Sequence, residues 1–381
     1  MTLPHLQAVR ENILANNFIL NINMQLIDVI KVFFPAIISF AIGIAITPTV
    51  ANYLYAHKMW KKKSVPKTLD GREAPISQSL HRDEQKKTPR MGGVIIWISV
   101  IAATVIIWIL SKVYPTFLTE KLDFTSRSQT WIPLGALLLG GLIGLIDDIM
   151  AVNETGDHIA GGLSLKKRLA AVILISGFCG FWFYFKLAVA TINLPFIGLV
   201  TIGWMFIPFF IVVTLAIYSG GVIDGLDGLS GGVFATIFAA YGIIALYQNQ
   251  VDLAAFCAAI VGGTLAFLWF NIPPARFYMS ETGTMALTIT LAIVAFMTDS
   301  IAGGFGVIVL PIIALPLAVS SLSVIIQLLS KKFRNGKKVF LVAPIHHHFE
   351  AIGWPSYKVV MRFWIISVIC AVVGVTLALI G

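Results

Sequence analysis

Apolar residues in this chain come in long blocks, and polar residues are confined to short stretches between them. A helix crossing the hydrocarbon core of a bilayer needs about 20 mainly apolar residues. Blocks of that kind occupy residues 32–56, 93–111, 131–148, 168–189, 203–219, 229–247, 253–270, 285–302, 305–329 and 359–380, which predicts ten spans. The gap between 285–302 and 305–329 is the least distinct of the separations. The pattern predicts an all-α, polytopic membrane protein with a single ten-helix domain over 32–381. Ahead of it lies a mixed segment, 1–31, in which "ILANNFILNINMQLIDVI" interleaves Asn and Asp with apolar residues and reads as an interfacial or re-entrant helix, with a disordered lead as the competing reading. It lacks the compact basic, apolar and small-residue order of a cleavable leader.

Composition supports the same class. Of 381 residues, 58% are hydrophobic and 12% charged, about half the charged share of a soluble domain. The net charge of +9 therefore belongs to loops that meet anionic lipid or anionic substrates, and nucleic acid is excluded as a partner. Cys179, Cys257 and Cys370 all lie inside apolar blocks and form no disulfide or metal pattern. Basic residues give the orientation. The loop 57–92 carries Lys58, Lys61, Lys62, Lys63, Lys67, Arg72, Arg82, Lys86, Lys87 and Arg90 and is expected on the cytoplasmic side. Alternation puts the loops near 149–167, 220–228, 271–284 and 330–358 on that side too, with both termini outside, in the periplasm. Two of these loops, with "LSLKKR" and "SKKFRNGKK", are basic as well.

Five polar stretches fall in or beside these cytoplasmic loops. "GLIDDIM" sets Asp147 and Asp148 at the end of the third span. Adjacent like charges at a membrane boundary are costly unless a cation or proton compensates them. Neighbouring helical positions diverge by about 100°, so the two acids are expected to play different parts. "GGVIDGLDGLSGG" places Asp224 and Asp227 three apart among glycines that permit a sharp bend or a close approach to phosphate. It is neither a Walker A nor a dinucleotide fingerprint, and a plain tight turn is the competing reading. "FNIPPARFYMSETGTMA" supplies Asn271, Tyr278 and Glu281, the last opening directly into a span. On spacing alone Tyr278 reads as an interfacial anchor. "KKTPRMGG" offers Lys86, Lys87 and Arg90 as phosphate partners, although a positive-inside run also explains it. "APIHHHFE" holds His346, His347 and His348. Three adjacent imidazoles do not converge easily on one zinc ion, so they are read as hydrogen-bonding to phosphate or sugar oxygens.

Together the acids call for a hard divalent cation, for which Mg2+ suits carboxylate and phosphate ligands. Cationic loops suit a polyanionic substrate, and apolar walls suit a lipid. Phosphoryl transfer between a soluble nucleotide compound and a membrane lipid fits all three.

The motifs "TPRMGG", "LIDD", "IDGLDGL", "FNIPPARFYMSETGTMAL" and "APIHHHFE…GW…RFW" resemble those of the phospho-N-acetylmuramoyl-pentapeptide transferases of bacterial peptidoglycan synthesis. These belong to the wider group of polyprenyl-phosphate sugar-1-phosphate transferases. The resemblance runs from about residue 40 to the end, and "IHHHFE" is its most discriminating part. It implies an Mg2+-dependent enzyme of the bacterial inner membrane that converts UDP-MurNAc-pentapeptide and undecaprenyl phosphate into lipid I and UMP, with its active site facing the cytoplasm. It implies catalytic roles for Asp147, Asp148 and Glu281, with Glu281 and Asp148 on the metal. Lys86, Lys87, Asp224, Asp227, Asn271, Tyr278, His346, His347 and His348 become substrate contacts, Tyr278 by stacking on uracil. Membrane lipid is the other partner, and a homodimer is left open.

Several positions depart from the family pattern. Glu281 stands where the family has a metal-binding aspartate, Ser280 replaces a glycine, and Arg90 replaces the second threonine of "TPTMGG". Gly221 and Ile223 replace an asparagine and a threonine, Ala151 replaces a lysine after the aspartate pair, and Gln85 replaces another lysine. The alternatives are a transferase acting on UDP-GlcNAc or a related donor and, from a different class, a transporter or a lipid-binding paralogue with reduced catalysis. A transporter favours ionisable residues near the midplane of repeated halves, whereas the acids here lie at helix ends.

Overall fold

A computed structural model describes residues 3–60, 87–126, 129–156, 162–194, 197–301 and 303–380. Its helices are α1 (Leu3–Ala56), α2 (Val94–Val113), the short α3 (Phe117–Leu122), α4 (Trp131–Asn153) and α5 (Leu165–Lys186). A two-stranded antiparallel hairpin, β1 (Thr191–Leu194) and β2 (Gly198–Thr201), follows. Then come α6 (Phe206–Ser219), α7 (Leu229–Tyr247), α8 (Val251–Asn271), α9 (Ser280–Phe296), α10 (Gly306–Ile313), α11 (Leu315–Phe333), α12 (Ile345–Ala351) and α13 (Ser356–Ile380). Among the described residues, 10 helices are long and apolar enough to cross a membrane. The chain is a multi-pass, all-α membrane protein. The helical form follows from the solvent: inside lipid, every backbone polar group must find its partner within the segment.

The α1 backbone is helical from Leu3 into the first span, whose apolar part is Leu26–Ala56. One expectation needs adjustment. The ninth block, 305–329, is not one helix. It divides at Ala314 into α10 and α11, with Pro311 in the first and Pro316 opening the second. Each proline lacks the N–H a helix needs and crowds the carbonyl one turn back, and α11 alone serves as the span.

Helix α9 is the hub, buried along nearly its whole length. At its far end the backbone passes through a π turn, Met297–Ile301, which places the fully buried Asp299 beside the hairpin. The Asn193 and Val307 N–H groups donate to the two Asp299 oxygens at 3.3 and 3.2 Å, fastening the hairpin to the bundle.

At the near end, α4 lies against the first turn of α9 through glycine. A Cβ on Gly144 would come 2.2 Å from the Glu281 carbonyl oxygen, and one on Gly140 would come 3.0 Å from the Ala286 Cα. This approach sets Asp147 and Asp148 beside the start of α9. Gly144→Ala is expected to push the two helices apart, costing about 1–3 kcal/mol as overpacked sites do. The check is the unfolding midpoint in detergent, and an unchanged midpoint would contradict the close approach.

Candidate active site

The site is assembled at the end of the bundle where α4 finishes, α5 and α9 begin, and the glycine-rich turn joins α6 to α7. Asp147 and Asp148 are 1% and 0% exposed, and, as helical geometry requires, they have different partners. Asp148 Oδ1 accepts from Arg90 Nε at 3.0 Å and Nη2 at 2.9 Å. Its Oδ2 accepts from the Thr282 N–H at 2.9 Å and the Thr282 hydroxyl at 2.6 Å. Both oxygens of this carboxylate are thereby committed. Asp147 Oδ1 accepts from the Leu163 N–H at 2.7 Å and pairs with Arg168 Nε at 3.0 Å. Arg168 Nη1 donates to Glu281 Oε1 at 2.7 Å. One guanidinium therefore bridges Asp147 and Glu281. Among the described residues, no hydrogen bond is made to Asp147 Oδ2 or Glu281 Oε2.

Arg90 was a candidate phosphate partner by sequence, and the structure pairs it with Asp148 instead. Burial disfavours its charge, yet Asp148, with Glu281 and Asp224 beyond it, outweighs burial and holds the guanidinium above its ordinary pKa. Lys87 is exposed at the site's edge. Lys86 lies outside the described residues.

The glycine-rich segment forms a single 3-10 turn, Gly220–Ile223, and α7 starts after Gly228. Asp224 Oδ1 accepts from the Ser230 hydroxyl and its Oδ2 from the Ser280 N–H, both at 2.7 Å. Burial pushes the Asp224 carboxyl above the usual range, with those two bonds and Arg90 opposing it. Asp227 Oδ2 accepts from the Ala275 N–H at 2.9 Å. Both acids therefore tie the turn to the loop leading into α9. Asn271, 2% exposed, braces the same junction: its carbonyl oxygen accepts from the Gly228 N–H at 2.9 Å and its amide donates to the Phe277 carbonyl at 2.8 Å. The half-buried Tyr278 is fixed through its backbone, which pairs with Pro89 and Gly92 at 2.9 and 2.8 Å.

Ser280 takes a backbone φ of 56°, the left-handed region that costs a residue with a Cβ roughly 1–2 kcal/mol. This explains why glycine suits the position in the family that the chain resembles. Ser280→Gly is expected to stabilise the protein by about 1 kcal/mol, because the N–H bond to Asp224 belongs to the backbone and survives. Unfolding in detergent checks this, and a loss of stability would contradict it.

The histidine motif forms α12 and meets the glycine turn. A Cβ on Gly225 would come 2.4 Å from His346 Nε2 and 2.7 Å from His347 Nε2, so only glycine lets the two elements touch. His346 is fully buried. His347 Nδ1 pairs with Glu350 Oε2 at 2.8 Å. His348 is half-buried against Phe340 and accepts the Leu341 N–H at Nδ1, 3.2 Å away. The three histidines thus occupy three different settings, and no shared metal point brings them together. Among the described residues, no group of three or more His, Cys, Asp or Glu side chains is placed to hold a metal alone.

Sequence reasoning missed Arg168, Thr282, Ser230 and Glu350. Arg168 was read only as part of a basic run, and the helix turns it inward while Lys166 and Lys167 stay exposed.

The acids and arginines gather at one end of a bundle of membrane spans, and the glycosyl transferase family 4 model matches residues 130–299, which makes the chain a membrane-embedded transferase. More narrowly, the chain belongs to the phospho-N-acetylmuramoyl-pentapeptide-transferase family. It is 34% identical over 296 residues to the protein of that name from Listeria monocytogenes serovar 1/2a, covering 77% of this chain and 85% of that one. Against the Bacillus subtilis strain 168 protein of the same name, identity is 32% over 353 residues, covering 90% and 97% of the two chains.

Proposed function

We infer that this chain transfers phospho-N-acetylmuramoyl-pentapeptide from its UDP derivative to undecaprenyl phosphate, yielding lipid I and UMP for peptidoglycan synthesis. The observation that carries this reading is the Arg168 bridge between Asp147 and Glu281. It gathers two carboxylates at the mouth of an apolar bundle, where a nucleotide phosphate and a lipid phosphate can meet. The names of the relatives support the substrates.

The donor set fits Mg2+. This ion is ordinarily held by one or two carboxylates and completed by substrate phosphates and water, and two carboxylate oxygens, Asp147 Oδ2 and Glu281 Oε2, accept no bond among the described residues. Asp147 and Glu281 would hold the ion. Asp148, both of whose oxygens are taken, supports the site from behind, which moves the second metal role from Asp148 to Asp147. When bound, Mg2+ supplies neutralisation of the charge on the pyrophosphate.

The chain's own residues do the rest. The lipid phosphate lies beside Asp147 and Glu281 and reacts as its dianion, its proton having gone to water. A lipid phosphate oxygen forms a bond to the phosphorus that carries the sugar, the bond from that phosphorus to the bridging oxygen breaks, and UMP leaves with that oxygen. Arg168 lies beside both acids and offsets charge developing on the phosphates, and Lys86 and Lys87 are the further basic residues of the sequence read as phosphate partners. His346 and His347 donate to phosphate or sugar oxygens beside the Asp224–Asp227 turn. Tyr278 stacks on uracil, while Asn271 keeps its loop in register. In this reading the site faces the cytoplasm of a bacterial inner membrane, in keeping with the basic loops at this end.

The test is UMP release by the purified protein, with undecaprenyl phosphate and a panel of UDP-sugars. The muramoyl-pentapeptide donor is expected to give UMP. Release from UDP-GlcNAc alone would overturn the assignment in favour of the related sugar-phosphate transferases.

A further inference from the structure

We propose that a groove between α4 and α5, at the end of the bundle opposite the active site, binds an anionic membrane phospholipid, with an acyl chain in the groove and the lipid phosphate against Lys186. The start of α4 and the second half of α5 enclose a cavity of 810 Å³, within the range of about 300–1,000 Å³ for ligand clefts. Helical phase builds it. Trp131, Gly135 and Leu139 recur every four residues along α4, and Phe178 and Trp182 do so along α5. Buried Ala136 and Cys179 form the floor, and exposed Trp131 and Phe178 form the rim. Gly135 keeps the groove open, since a Cβ there would meet nothing within 4 Å. Gly140 and Gly144 of the same helix instead press against α9, so Gly135 does not serve close helix packing.

Length and charge select the occupant. The groove follows each helix for about eight residues, roughly 12 Å. That is well short of the roughly 30 Å over which a neighbouring span would lie, and it suits a stretch of hydrocarbon chain. Its walls are apolar, with the indoles of Trp131 and Trp182 near the helix ends, where tryptophan marks the headgroup level. Lys186 follows Trp182 by four positions, on the same face of α5, and is exposed in the last turn. Among the described residues no acid pairs with it. The basic loops that orient the chain lie at the other end of the bundle, so topology does not account for this cation. The α5 dipole favours a cation at its C-terminus but explains no groove below it. A lipid whose tail fills the groove brings its phosphate to the level of the ammonium, and a lysine near an anionic surface attracts such headgroups.

The test titrates the purified full chain in detergent with dioleoyl phosphatidylglycerol or dioleoyl phosphatidylcholine, reading native mass spectra and the unfolding midpoint. Phosphatidylglycerol is expected to stay bound at one per chain and to raise the midpoint more than phosphatidylcholine does, because a ligand of the folded state stabilises it. Gly135→Leu fills the groove where there is room for a side chain, and is expected to abolish the adduct of either lipid. Lys186→Gln is expected to weaken phosphatidylglycerol binding about fivefold, the share of one basic residue at an anionic surface, and to leave phosphatidylcholine unchanged. It carries the test should Gly135→Leu fail to fold. Lys121→Gln removes the same charge from α3, which packs on α1 and α2, and is expected to change neither. Equal retention of the two lipids overturns the proposal, as does a phosphatidylglycerol adduct undiminished in Lys186→Gln or in folded Gly135→Leu. A loss in Lys121→Gln matching that in Lys186→Gln overturns it too, since bulk charge would then suffice. Displacement of the adduct by equimolar undecaprenyl phosphate would give the groove to that lipid, and a dimer lost in Gly135→Leu would give it to a second copy of the chain. Either result overturns the phospholipid assignment.

Discussion

Glu281→Gln is expected to lower lipid I formation by at least about a hundredfold to a thousandfold, the scale of losing one electrostatic group aimed at the reacting phosphates. The substitution is conservative in shape. Its amide oxygen can still accept from Arg168, which now donates to Glu281 at 2.7 Å, so the start of α9 and the Arg168–Asp147 pair are expected to stay in place. The charge is what disappears, and with it one of the two carboxylates assigned to Mg2+. The loss therefore belongs in kcat/KM and in the Mg2+ concentration needed for half activity, and the unfolding midpoint is expected to be preserved. UMP release titrated with Mg2+ reads both quantities. Full activity at ordinary Mg2+ would remove Glu281 from the centre of the account.

Arg90→Ala is expected to act mainly on stability. Asp148 is 0% exposed and takes two of its four hydrogen bonds from the Arg90 guanidinium. Removing one partner of a buried pair costs about 3–5 kcal/mol, because the remaining charge is left in a medium that cannot solvate it. Thr282 still supplies two bonds to Asp148, which favours the lower end of that range. Lysine is expected to rescue only partly, since an ammonium cannot reproduce two fork-like donations to one carboxylate. This chain also has Ala151 where the family it resembles carries a lysine. Ala151 lies three residues beyond Asp148 on α4, on the same helical face. An arginine at 90 and a lysine at 151 would each offer a cation to the same acid. Ala151→Lys is accordingly expected to recover part of the stability lost in Arg90→Thr, and the double-mutant cycle gives the coupling. Unfolding in detergent measures all of these. Arg90→Ala with an unaltered midpoint would show that Asp148 does not depend on its arginine.

The spans were legible in the sequence because the bilayer sets their length and tolerates few polar residues. The block 305–329 was misread for a related reason: apolarity does not register the hydrogen bonds that Pro311 and Pro316 withdraw. The β1–β2 hairpin escaped because four-residue strands leave no pattern against flanking helices. At the site, the acids were visible as charges out of place in an apolar chain, and helical phase foretold that Asp147 and Asp148 would diverge. Their partners were not visible. Arg90 lies 58 positions from Asp148, and Arg168 lies 113 from Glu281, so only the packing of α4, α5 and α9 reveals either bond. Glu350 stood in plain view beside the histidines, but its tie to Ser356 depends on the turn between α12 and α13. The two backbone groups that Asn271 bonds, at Gly228 and Phe277, could not be told from its residue type.

The measurement that bears most directly on the account is lipid I formation by the purified chain in lipid nanodiscs supplied with UDP-MurNAc-pentapeptide and undecaprenyl phosphate, with mass spectrometry of the lipid product. Lipid I and UMP are expected in equal amounts with Mg2+ present, to vanish with a chelator, and to return when Mg2+ is restored. A folded protein that forms no lipid I under these conditions, or forms it undiminished in the chelator, would contradict the account.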